Sequence, residues 1–155
     1  MQPPKPTIDP LYLDYALLQL RRHYLLIDGK DDDEMEQVEE ELTALWENLS
    51  EAQRQSLNGM GSDLNWIRRG GELSSKGPTS TDVSEQDVAD LDRAELTRDW
   101  HAILHYLRIC APILLPESVA HIRATCYHEL GLDLVAKVFD NFAATIPNQR
   151  QTSEV

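Results

Sequence analysis

The chain is short of positive charge. Lys and Arg together number 14 against 27 Asp and Glu, a formal net charge of −13 at pH 7. Binding to phosphate backbones needs clustered cations, so DNA and RNA are not expected as direct partners, and anionic membranes are discounted on the same ground. Cysteine is scarce as well. Cys110 and Cys126 in 155 residues do not make the dense framework of a small secreted domain. Met1 to Pro10 lacks the apolar stretch of a signal peptide. No apolar run approaches the roughly 18 residues needed to cross a bilayer, and the longest, Ile109 to Leu115, is interrupted by Pro112. A cytoplasmic location is the expectation. Strand-like alternation is missing throughout, as are the G-x-S-x-G, P-loop and dinucleotide-binding fingerprints. Asn58-Gly59-Met60-Gly61 offers G-x-G without the third glycine or a preceding strand. The expectation is a protein that is not an enzyme.

What is present is apolar material at helical spacing, 41% of the chain. Asp9 and Pro10 have the character of a cap and first helical residue, and Leu13, Leu17, Leu20, Tyr24 and Ile27 recur every three or four positions. Leu11, Leu18 and Leu25 widen that face, which predicts a first helix set deep in the core and stopped by Asp28-Gly29. Met35, Val38, Leu42, Leu45 and Leu49 form the cleanest stripe and predict a second helix. Ser50 and Gln53 have the capping-box spacing and open a third, with Leu57, Met60, Leu64 and Ile67 inward and Gly70-Gly71 as its end.

Residues 70–82 are rich in Gly, Ser, Thr and Pro and predict a flexible linker. It divides an acidic three-helix unit, 1–69, from a second helical unit, 83–147, followed by a disordered polar tail, 148–155. In the second unit Val88 and Leu91 are the expected core of a short acidic segment. Trp100, Ile103, Leu104 and Leu107 serve a helix from about Arg98 to Pro112. Pro116 and Asp133 open two more helices, the last ending near Ile146. The fold class expected is all-α, with about seven helices.

Asp99-Trp100-His101-Ala102 and Asp133-Leu134-Val135-Ala136 stand 34 residues apart, with a helix–turn–helix between them that ends at Pro147. Ala124, Tyr127, Gly131, Ala136, Phe139 and Ala143 occupy the small, large and turn positions of a tetratricopeptide repeat (TPR), and this segment resembles that family. Ala120, Arg123 and Ile103 depart from its pattern. The likeness covers about one and a half repeats and implies a short antiparallel helical hairpin array that binds other proteins. A second likeness rests on Gly29-Lys30-Asp31, Trp46-Glu47-Asn48-Leu49-Ser50 and Asp63-Leu64. This pattern resembles a segment found beside TPR-like helices in uncharacterised bacterial proteins, and it implies architecture but no activity.

Most of the negative charge is local. Asp28 to Glu51 holds eleven acids against Lys30, a net of −10 that leaves only −3 for the rest of the chain. Three readings stand: a docking face for a basic partner, a divalent-cation site, or a solvated helix face with acids favourably near a helix N-terminus. The Gly and Glu positions of an EF-hand loop are absent, which weighs against calcium. His101 and His105 share a helix face and His121 and His128 lie on the next helix, yet their spacing matches no zinc motif. Cys110 and Cys126 sit in apolar contexts that suit inert core thiols. No metal or cofactor is expected. The C-terminal Ser153-Glu154-Val155 has the form of a peptide that adds to a sheet edge, a short and commonplace match.

Function is therefore expected to be binding of another protein. A repeat array needs about three units to close its core, so the missing cover must come from the N-terminal helices, a second copy or a partner. Val135, Val138, Phe139, Phe142 and Ile146 make a set too broad for one buried stripe. Trp100, Tyr106, Phe142 and Ile146 are the expected contact residues, with Glu36, Glu39, Glu40 and Glu47 as a steering face. The alternative is an acidic, antitoxin-like inhibitor of a basic, nucleic-acid-binding protein.

Overall fold

A computed structural model describes residues 9–29, 32–71 and 83–153, the stretch 147–153 by its backbone alone. Among the described residues there are seven α-helices and no strand, so the fold is all-α. They fall into two compact units, Met1–Arg68 and Arg69–Val155. Of the expected linker only Gly70 and Gly71 are described, both with left-handed backbone angles (φ 72° and 75°). Residues 72–82 lie outside the described residues, as do Lys30 and Asp31 of the acidic stretch and the terminal Glu154 and Val155.

The first unit holds α1 (Pro10–Asp28), α2 (Asp32–Trp46) and α3 (Glu51–Arg68). Asp9 caps α1 by accepting from the Leu11 N–H at 2.9 Å, and Gly29, at φ 63°, closes it by donating to the Leu25 carbonyl. Ser50 and Gln53 make the reciprocal capping box at the start of α3, at 2.9 and 3.2 Å. α1 is the central helix and packs against both α2 and α3. Val38, Leu42 and Leu49 are buried as the stripe of α2 predicts, and Leu57, Met60 and Leu64 are buried on α3.

The face that α1 buries differs from the one its leucines predict. Tyr15, Ala16, Leu20 and His23 are buried, whereas Leu17, Tyr24 and Ile27 are exposed. Leucines ring this helix, so periodicity cannot select a side. Polar contacts select it: Gln19 Nε2 donates to the Leu57 carbonyl at 3.1 Å, and Arg68 Nη1 bonds His23 Nδ1 at 2.8 Å. Gly61 permits this approach, because a Cβ there would stand 3.3 Å from Gln19 Nε2. Tyr15 meets the Trp46 ring at 5.4 Å, and Arg54 stacks over the other ring system of that contact, Trp46, at 5.4 Å while its Nε donates to the Trp46 carbonyl.

The second unit holds α4 (Glu85–Thr97), α5 (Trp100–Cys110), α6 (Pro116–Glu129) and α7 (Asp133–Ser153), with a 3-10 turn at Ala111–Ile113 where Pro112 interrupts the chain. Ser84 and Asp87 form a second capping box. Leu91 and Ala94 face the core, but Val88, expected there, is 36% exposed: each three-residue step falls about 60° short of a full turn, so stepping back from 94 through 91 carries 88 off the buried face. Arg98 adopts a left-handed angle (φ 54°) and Asp99 caps α5, so α4 and α5 are joined by two residues. α6 ends in a Schellman turn, with Leu132 N–H donating to the Tyr127 carbonyl at 2.8 Å around Gly131 (φ 88°). α6 and α7 pack through buried Ala120, Ala124, Ala136 and Ala143, with Tyr127 and Phe139 stacked at 5.3 Å and 15°. The backbone of α7 continues to Ser153, past the end expected at Ile146 and into the segment expected to be a disordered tail. Pro147 withholds one N–H and costs a helix about 3 kcal/mol. The cost falls at one position, and the Gln and Arg residues that follow favour helix.

Candidate functional site

α1 and α2 leave a groove of about 550 Å³ on the first unit, lined by Asp14, Leu17, Leu18, Arg21, Glu41, Ala44 and Leu45. Its floor is apolar because the leucines of α1 that do not face α3 emerge here beside Leu45. Its rim is charged, and Arg21 is held there by an ion pair with Glu34. The guanidinium keeps its proton more firmly than an isolated arginine because it hydrogen-bonds that carboxylate. Beyond the rim α2 turns its acidic side outward. Glu36, Glu39 and Glu40, and Glu47 just past its end, are all exposed. Glu39 lies 3.6 Å from Arg22, a contact at half-exposed side chains that contributes about 0–1 kcal/mol.

The aromatic and apolar residues expected as contacts do not form one patch. Trp100 and Tyr106 are half-buried but six positions apart on α5, and so on different faces. Tyr106 sits edge-on to the His105 ring at 5.0 Å. Phe142 is half-buried on α7. Ile146 is buried at 5% exposure and is not a contact residue. Val135, Val138 and Phe139 are buried with it, so the broad set on α7 is absorbed by packing. Among the described residues of the second unit, Leu96, at 86%, and Leu134, at 57%, are the most exposed large apolar side chains.

A polar cluster that sequence reasoning missed lies between α1 and α3. Tyr15, Gln19, Arg22, Leu42, Gly61, Leu64 and Arg68 line a cavity of about 160 Å³. His23 beside it is 1% exposed, and burial, reinforced by the Arg68 charge, pushes its pKa down to about 4. The ring is therefore neutral at pH 7 and accepts the Arg68 N–H at Nδ1. Burial and then the neighbouring Arg22 lower the pKa of Arg68. Burial raises that of Tyr15, with Arg22 acting in the opposite sense. The signals for this cluster were a histidine inside a leucine-rich helix and a glycine inside α3.

The remaining candidates for chemistry are dispersed. His101, His105, His121 and His128 are exposed, and His128 Nδ1 contacts Asp133 at 2.8 Å across the α6–α7 turn. Cys110 and Cys126 are buried thiols outside any disulfide, and burial raises the Cys110 pKa, helped by Asp87 and Asp92, which disfavours the nucleophilic thiolate. Among the described residues no group of three or more His, Cys, Asp or Glu is placed to hold a metal ion. Nor is any helix there long and apolar enough to cross a membrane. No family model, curated protein or solved structure matches the chain.

Proposed function

We propose that the chain is a non-enzymatic protein-interaction module of the cytoplasm that docks a partner on its first unit. One observation carries the reading: the α1–α2 groove exposes leucines 17, 18 and 45 as an apolar floor beside the outward acidic row of α2. Apolar surface drives association, and the acids steer a basic partner and set its register. The TPR-like reading of the second unit belongs to the same proposal. The small residues at the α6–α7 interface and the Tyr127–Phe139 stack support it. A second copy of the chain is an alternative occupant of either unit.

The test starts with the protein that co-purifies from the native host, whose binding is then measured over a range of salt. Leu17→Asp should weaken binding at least tenfold, mainly through faster dissociation. Glu36→Lys with Glu40→Lys should mainly slow association. The local charge of the acidic stretch favours a second reading, an acidic inhibitor of a basic nucleic-acid-binding protein. That reading requires the double charge reversal to abolish binding while Leu17→Asp leaves it intact. A chain that stays monomeric and retains no partner under cross-linking overturns both.

A further inference from the structure

We infer that the cavity between α1 and α3 is a binding site for a small oxyanion, a phosphate or carboxylate group, held by Arg22 and Arg68. The cavity holds two guanidiniums side by side. A guanidinium has five N–H donors and is always protonated at neutral pH. Half-buried cations are ordinarily paired, because removing the charge from water costs several kcal/mol unless a counter-charge replaces the solvent. Among the described residues no carboxylate forms an ion pair with Arg68. Its side chain bonds the neutral His23 ring and otherwise faces the cavity, where it meets Arg22, a second cation.

The surroundings make this placement informative. Acids outnumber bases heavily in the first unit, and four arginines, at 21, 22, 54 and 68, are its described cations. Arg21 is matched with Glu34, and Arg54 covers Trp46. The other two line one cavity, and Arg22 also stands 3.6 Å from Glu39, a weak ion pair between half-exposed side chains. Gly61 contributes no side chain to the wall, Leu42 and Leu64 supply an apolar floor that weakens screening, and Tyr15 and Gln19 belong to the same lining. An oxyanion there would accept from the planar forks of both guanidiniums, the geometry in which arginine recognises carboxylate and phosphate. Free ions and the same groups on a small metabolite or a partner's side chain share this chemistry.

The test uses the full chain, with inorganic phosphate and acetate as probes against chloride at constant ionic strength. The readout is the His23 ring in an NMR pH titration, together with the thermal midpoint. A bound oxyanion neutralises the charge that helps hold His23 neutral, so its pKa should rise by about one unit. The midpoint should rise with probe concentration. Arg22→Gln, at a half-exposed side chain, should cost about tenfold in affinity, and Arg68→Lys should cost as much because the fork is lost. Arg21→Gln should change nothing, since that residue lies in the α1–α2 groove. Stronger binding of phosphate than of acetate assigns a phosphoryl ligand, and the reverse order assigns a carboxylate. The inference is overturned if neither probe at about 10 mM moves the His23 titration, given that millimolar binding is the weakest worth naming a site. It is also overturned if Arg21→Gln is as damaging as Arg22→Gln. Arg22 lies 3.6 Å from Glu39 of the acidic row, but the His23 titration is read with no partner protein present, so a failure here leaves the docking proposal standing.

Discussion

Acidification should destabilise the first unit through His23 alone by about 1–3 kcal/mol between pH 5.5 and 4.5. The ring has a pKa of about 4 when folded against 6.5 as an ordinary histidine. The unfolded state therefore binds the proton more tightly. Above pH 6.5 both states are neutral and the group has no effect. As pH falls below 6.5 the unfolded chain takes up a proton that the folded one refuses, and stability declines until the folded pKa near 4 is passed. Linkage gives a loss of about 1.4 kcal/mol at pH 5.5 and about 2.6 kcal/mol at pH 4.5. Against the roughly 5–10 kcal/mol total of a small domain, that is a large fraction. The assay is urea unfolding of the wild type and of His23→Gln at pH 7.5, 5.5 and 4.5. Carboxylates and net charge change alike in both proteins, so the difference between their curves isolates the ring. His23→Gln is expected to be the less stable protein at pH 7.5 and to lose less stability on acidification. A difference curve that stays flat, or a His23 resonance that titrates near 6.5, would refute the reasoning.

Further outcomes follow from single contacts. Gly131→Ala should cost the second unit about 1 kcal/mol, measured by urea midpoint, because a Cβ is strained at φ 88° in the α6–α7 turn. Gly61→Ala should change stability by less than about 1 kcal/mol. The helix gains propensity while the Gln19 amide, 3.3 Å from the new methyl, shifts by a few tenths of an ångström. Gly61→Leu should destabilise clearly in the same assay. Phe139→Ala should cost about 3–5 kcal/mol by calorimetry or denaturant, since the ring is fully buried and stacked on Tyr127.

The helices themselves were legible because their signals are local. The capping box at Ser50, the Asp9-Pro10 start, and the Gly29 and Gly131 ends act within a turn or two of chain, and each is where the residues place it. The stripe of α2 was legible because one side is all acid and the other all apolar. α1 was not, since leucine on most sides leaves the direction of burial to its partners, and those partners are Arg68, the Leu57 carbonyl and Gly61, some forty residues away. Of the residues expected at a contact surface, the four glutamates are exposed, and that exposure was readable because charge on a helix face stays in water. Ile146 was misjudged for the converse reason. How much of a broad apolar set a neighbour covers depends on the width of that neighbour, and α6, with alanine at 120 and 124, lets α7 approach closely.

The two-residue joint at Arg98 and Asp99 bears on how the second unit comes to exist at all. Its substantial pairings, α4 with α5, α5 with α6 and α6 with α7, join helices adjacent in the chain. Closing such neighbours spends little loop entropy, and domains of low contact order reach their native state in microseconds to milliseconds. A hairpin closed by Arg98 can form before its downstream neighbours are synthesised. The unit can therefore assemble progressively behind the ribosome, each new helix docking on one already in place.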